Sequence, residues 1–114
     1  MPRKERLFAI KWAPSPLAIQ EHGGMNGREL ELRCYEIIDG NLVGPVRLIM
    51  GHICLMSGRS ESMLWKIRCI RGTLQGSTER VVMADGTLSY HELPERRETM
   101  DLVPCTGTLK WIAD

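Results

Sequence analysis

The sequence predicts an α+β domain, and three observations carry that prediction. Residues 26–40 and 44–58 each pair a helix-start signal with a glycine stop. LFAIKW near the N-terminus alternates its side chains with the period of a strand, and the same period returns after Gly58. One early strand, two packed helices and then a twisted antiparallel sheet follow from that order.

The chain starts with a short basic tail, residues 1–6, holding Arg3, Lys4 and Arg6. In the strand that follows, Phe8, Ile10 and Trp12 alternate against Leu7, Ala9 and Lys11. Pro14 and Pro16 interrupt regular structure. Because proline fixes its own φ and pushes its predecessor out of the helical region, residues 13–17 are expected as an extended segment. Gly23, Gly24 and Gly27 loosen the loop beyond it.

Asn26 stands three residues before Glu29, in the manner of a capping box, and Asp39-Gly40 supplies a stop. A helix between them gathers Leu30, Cys34, Ile37 and Ile38 on one stripe and leaves Glu29, Arg33 and Glu36 outside. Read as a strand, Leu30, Leu32 and Cys34 alternate well, but Glu36 arrives in the same phase. That carboxylate decides for the helix. The next run, GPVRLIMGHICLMSG over 44–58, is interrupted only by Arg47 and His52, so it must be buried on nearly every side. Pro45 in the first turn and Ser57-Gly58 at the end suit a second helix, with a buried strand as the alternative over Val46 to Met56.

Beyond Gly58 the period changes to two. Leu64 to Arg71 sets Trp65, Ile67 and Cys69 against Lys66, Arg68 and Ile70, a half-buried strand. Asp85-Gly86 between VVMA and TLSYH signals a two-residue hairpin turn. ELPERRE, 92–98, reads as a charged surface loop. Leu102-Val103 and residues 108–112 close the chain as short strands, Leu109 and Trp111 facing one way and Thr108 and Lys110 the other.

At 114 residues and 43% hydrophobic content, the chain fits one domain, 1–114, with a core that needs neither disulfide nor structural metal. The run 46–56 falls short of the roughly 20 apolar residues of a membrane-spanning helix, and MPRKER is not followed by a secretory signal core. A cytoplasmic protein is expected. Cys34, Cys54, Cys69 and Cys105 are well separated and form no C-x-x-C pair, which favours buried reduced thiols over zinc, and no cofactor is expected. A net charge of +1 gives no global field, so any polyanion binding has to be local. Arginine outnumbers lysine 11 to 4, and its planar fork suits phosphate and carboxylate.

No arrangement carries strong catalytic chemistry. A Cys-His pair drawn from His22, His52 or His91 and one of the thiols is compatible with the composition but has no motif. Glu29 with Glu31, and Glu92 with Glu95, are interleaved with arginines and read as solvated faces, while GGMNG lacks the lysine and spacing of a P-loop. Trp12, Trp65 and Trp111 sit in strand patterns and are expected in the core. Two features point to binding instead. Arg3, Lys4 and Arg6, with Lys66, Arg68 and Arg71, form a candidate surface for an anionic partner. Pro14, Pro16 and Leu17 within APSPLAI form a candidate docking peptide for self-association, since a preset proline backbone lowers the entropy lost on binding.

The order of elements resembles the matrix proteins of rhabdoviruses and related negative-strand RNA viruses. The features concerned are the basic N-terminus leading to a strand, a helix ending in Asp39-Gly40-Asn41, the apolar helix ending in Ser57-Gly58, the Trp65 strand with basic neighbours, and the closing segment from Gly107 to Ile112. The resemblance implies a non-enzymatic structural protein that assembles with itself at the periphery of a membrane or within a virion and contacts lipid, nucleoprotein or RNA. The chain is short for that family, and Ala13 to Pro16 matches neither common budding motif. The leading expectation is therefore a self-associating homo-oligomer that meets an anionic membrane surface, nucleoprotein or RNA. A compact inhibitor or immunity-type protein of phage or bacterial origin, acting on a single protein target, is the alternative, and a Cys-His enzyme the third.

Overall fold

The computed structural model describes residues 4–15, 30–59, 64–74, 81–83, 86–91 and 102–113. They form seven strands, β1 (Lys4–Pro14), β2 (Leu30–Ile38), β3 (Asn41–Arg59), β4 (Leu64–Leu74), β5 (Val81–Val82), β6 (Gly86–Tyr90) and β7 (Leu102–Ala113). The described chain is all-β, so the α+β expectation is overturned: both expected helices are strands. The sheet is an antiparallel, curled half-barrel in the order β3-β2-β1-β7-β6-β4-β5, and a further β3–β4 pairing joins its two flanks. The pairings thereby run in a ring through β1, β2, β3, β4, β6 and β7. The first and last strands close it, in register from Lys4↔Ala113 to Pro14↔Leu102.

The helix predicted over 26–40 fails on the residue that argued for it. Residues 26–29 lie outside the described set, but 30–38 are β2, with Leu32 and Cys34 buried. Glu36 keeps their phase and is neutralised across the sheet. The Arg6 guanidinium on β1 donates to both its carboxylate oxygens, Nε to Oε2 at 2.8 Å and Nη2 to Oε1 at 2.7 Å. Arg6 also lies 5.4 Å above the Phe8 ring, and Phe8 meets Trp111 of β7 edge to face, centroids 6.5 Å apart. The acid is thus stabilised by a partner 30 residues away, which no window centred on β2 contains.

The second expected helix is most of β3. Its first half pairs with β2 and its second with β4, and Leu48 to Met50 pair with both. Only there is the strand flanked on both edges: Leu48 is fully buried, whereas Gly44, Pro45 and Arg47 are exposed, so the expected burial on nearly every side does not hold at the start of the run. Pro45 has no N–H for the ladder, and the β2–β3 register shifts there, between Cys34↔Val46 and Glu36↔Val43.

The two Asp-Gly dipeptides exchange roles. Asp39-Gly40 is not a helix stop but the turn of the β2–β3 hairpin: Ile38 pairs with Asn41, and both central residues have positive φ, 51° and 79°, as a type I′ turn requires. At the other, Asp85 lies outside the described residues, but its surroundings exclude the expected hairpin. β5 and β6 do not pair with each other; both pair antiparallel with β4, as Ile70↔Val82 and Ile67↔Gly86, and together form one interrupted strand. Gly86 is needed there for a different reason. A Cβ at this position would sit 2.8 Å from the Thr108 carbonyl oxygen of β7.

Bulges also reset the inward phase. Phe8 and Ile10 face in as expected, but the register shifts on both sides of β1 between Ile10 and Trp12, so that Ala13 is buried and Trp12 exposed. On β4 a shift between Cys69 and Ile67 puts both Ile67 and Ile70 inside. The two closing strands expected at 102–103 and 108–112 are one strand, and Leu109 and Trp111 face inward with Thr108 and Lys110 outward, as the alternation predicts. β1 runs through Pro14, whose carbonyl accepts a buried hydrogen bond from the Tyr90 hydroxyl at 2.6 Å. The core fills the concave side, and the cavity bordered by Ile10, Ile67, Ile70, Leu88 and Leu109 measures ≈ 10 Å³, about enough for one water.

The coupling of the ion pair is measurable. Glu36→Leu alone, or Arg6→Met alone, should cost about 2–4 kcal/mol, whereas the double replacement should cost less than either, because it removes both charges together. Urea unfolding of the four proteins measures this, and simple additivity would show that the two side chains are not coupled.

Candidate interaction surface

Among the described residues, the basic residues expected to form one surface lie on separate strands. Arg3 lies outside the described residues. Lys4 opens β1 opposite Ala113, and the Arg6 guanidinium is engaged with Glu36. Lys66 is exposed on β4, paired with Ser57 and Thr87; of Arg68 and Arg71 only the backbone is described, Arg71 opposite His52 and Val81. In the ring of pairings β1 and β4 stand three strands apart in either direction, so the N-terminal and β4 groups occupy opposite sides. Pro14 is buried against its own sheet through Tyr90, and Pro16 and Leu17 lie outside the described residues.

The two described thiols are poorly placed for nucleophilic chemistry. Cys34 and Cys105 are free and buried. Burial, reinforced by Cys105, pushes the Cys34 thiol up to about 12, and burial pushes the Cys105 thiol up to about 12. Nucleophilic chemistry needs the thiolate, and both are neutral thiols near pH 7. Tyr90 is raised as well, by burial and then by Cys105. His91 is exposed, with Nε2 2.7 Å from the Thr106 hydroxyl. The side chains of Cys54, Cys69 and His52 are not described, and His22 lies outside the described residues. Among the described residues no group of His, Cys, Asp and Glu could hold a metal ion, and no helix is long and apolar enough to cross a membrane.

What the fold does assemble is the outer wall of β1, β2 and β3. Alternation that sends Phe8, Ile10, Leu32 and Cys34 inward sends Leu7, Ala9, Glu31, Arg33, Tyr35 and Ile37 outward. The registers Leu7↔Ile37 and Ile37↔Leu42 align three large apolar side chains in one row. Leu7 is 40% exposed and Leu42 53%, with Ile37 half-buried between them. At its β7 end the row meets Lys110, opposite Leu7, whose ammonium lies 3.7 Å from Glu5 at the surface. This is a contiguous apolar patch with a rim of both charge signs.

Sequence reasoning missed this row because it read β2 as a helix. The available signal was Asp39-Gly40: a two-residue hairpin centred there sets Ile37 against Leu42 directly. Comparison with protein-family models, curated proteins and solved structures finds no match.

The buried thiols fix a pH dependence. Since their folded values lie above the unfolded value of 9.0, the folded state holds the protons more tightly. The stability involved is present below about pH 9 and is lost as pH rises toward 12. Urea midpoints should therefore fall as pH rises above about 9, and by less in Cys34→Val than in the wild-type chain. A flat profile would contradict the burial.

Proposed function

We propose that the protein is a non-enzymatic interaction protein that self-associates through the outer wall of β1, β2 and β3. The observation that carries this reading is the row Leu7–Ile37–Leu42, exposed at Leu7 and Leu42 and half-buried at Ile37 between them. Large aliphatic side chains aligned on a sheet lose solvation free energy when left in water, and covering them returns about 25 cal/mol for each Å² removed. The concave side is filled by the protein's own side chains, so the convex wall is the surface offered to another molecule.

A second copy suits the row better than a partner of one charge. The rim carries Glu5 and Lys110 side by side, so a two-fold axis through the row can set each against the opposite charge of the other copy. The same row on two copies can meet across such an axis, which makes the contact isologous. This proposal uses neither Pro14, Pro16 and Leu17 nor the matrix-protein resemblance, two of whose elements were the helices that are strands.

Light-scattering mass across concentration tests it. The wild-type chain should grow from monomer to dimer or larger, and Leu7→Ser with Leu42→Ser should hold it monomeric at unchanged circular dichroism and melting temperature. A monomer at every concentration, or an assembly indifferent to both substitutions, would overturn the reading. Assembly that persists in this variant but is lost on replacing Pro14, Pro16 and Leu17 would move self-association to that segment.

A further inference from the structure

Toward the other end of the same wall the chemistry changes from aliphatic to aromatic and basic. One register row crosses three strands, Trp12↔Arg33 between β1 and β2 and Arg33↔Arg47 between β2 and β3. Trp12 is 44% exposed, Lys11 beside it is exposed, and Tyr35 occupies the next outward position on β2. The Arg33 and Arg47 side chains are 56% and 43% exposed. One carboxylate lies among them: Glu31 accepts from Arg33 Nε at 2.9 Å and lies 3.4 Å from Arg47 Nε. Three cations against one anion leave this end of the wall positive, although the whole chain carries only +1.

The position of Trp12 is specific. Without the bulge after Ile10 the strand phase would turn its ring inward with Phe8 and Ile10. The bulge instead sets the largest side chain of β1 outward beside two guanidinium groups. Two arginines directly across a ladder repel each other, an arrangement that costs stability unless Glu31 or a bound anion compensates. Glu31 supplies one negative charge for the two.

We propose that this row binds single-stranded nucleic acid, the Trp12 and Tyr35 rings stacking on bases while Arg33, Arg47 and Lys11 contact phosphates. The geometry favours a single strand over a duplex. Tyr35 lies two residues along β2 from Arg33, the register partner of Trp12, so the rings occupy a diagonal pair roughly 7–8 Å apart at the backbone. That is about twice the 3.4 Å per-strand rise of a stacked duplex, and an extended single strand can open to it. Rings interleaved with cations match alternating bases and phosphates, whereas a lipid surface rewards a continuous apolar face. The aliphatic row is separate: Leu7 and Trp12 are five positions apart on β1, about 15 Å of strand.

Fluorescence anisotropy with a labelled oligouridylate tests this at about 50 and 200 mM salt, the range over which phosphate binding weakens steeply. Trp12→Ala should weaken binding about 5- to 150-fold, the stacking share of one base. Arg33→Gln with Arg47→Gln should flatten the dependence of log K on log salt by about 1.4, at roughly 0.7 for each phosphate no longer neutralised. Glu31→Gln, which removes the competing carboxylate, should tighten binding. Leu7→Ser with Leu42→Ser should leave the affinity of each monomer unchanged, which separates this result from the fate of self-association. No binding at the lower salt would overturn the proposal. So would an unchanged affinity in Trp12→Ala, equal competition by duplex RNA, or preference for phosphatidylserine vesicles over the oligonucleotide.

Discussion

The structure depends on one ion pair that makes a strand out of a segment with a carboxylate in its core phase. Arg6 meets both oxygens of Glu36 within 2.8 Å, on side chains that are 27% and 14% exposed. At such burial an isolated carboxylate is costly, and the bidentate geometry is what offsets it. Arg6 also lies over Phe8, and Phe8 against Trp111, so one cation ties β2 to β1 and, through an aromatic edge, to β7. With β2 fixed as a strand, the Asp39-Gly40 turn brings β3 alongside, and β3 brings β4.

A curled sheet with a packed concave side also needs places where its strands can bend. The register shifts near Lys11, Pro45, Gly51, Met56 and Arg68 and the break between β5 and β6 are such places. Each shift reverses which residues face inward. The same irregularities that let the sheet curl therefore decide its surface: Trp12 is outside because β1 bulges, and Ile67 and Ile70 are both inside because β4 does. Trp111, by contrast, lies in an unbroken stretch of β7 and is wholly buried, its indole N–H without a hydrogen-bond partner among the described residues.

With the concave side filled, the proposed recognition uses the convex wall, and the wall is divided along β1. One end carries the aliphatic row and a rim of both charges. The other carries rings and guanidinium groups. An assembly that uses the first would leave the second free, so self-association and nucleic-acid binding are compatible on one small domain, and several copies together would present a longer basic surface than one.

Local pattern by itself determined the strands whose alternation runs unbroken: β1 as far as Ile10, the start of β4, and the second half of β7 with Leu109 and Trp111 inward. The tertiary structure alone decided that 30–38 and 44–58 are strands, that Asp85-Gly86 is not a hairpin, and that Trp12 faces out. The physical reason is the same in each case. A helix satisfies its backbone within its own segment, whereas a strand is completed by another part of the chain, which supplies its hydrogen bonds, its charge partners and the register that says which side chain faces in. Arg6 for Glu36, β4 for both β5 and β6, and β2 and β7 for the bulge in β1 are all such partners, and the sequence around each residue does not contain them.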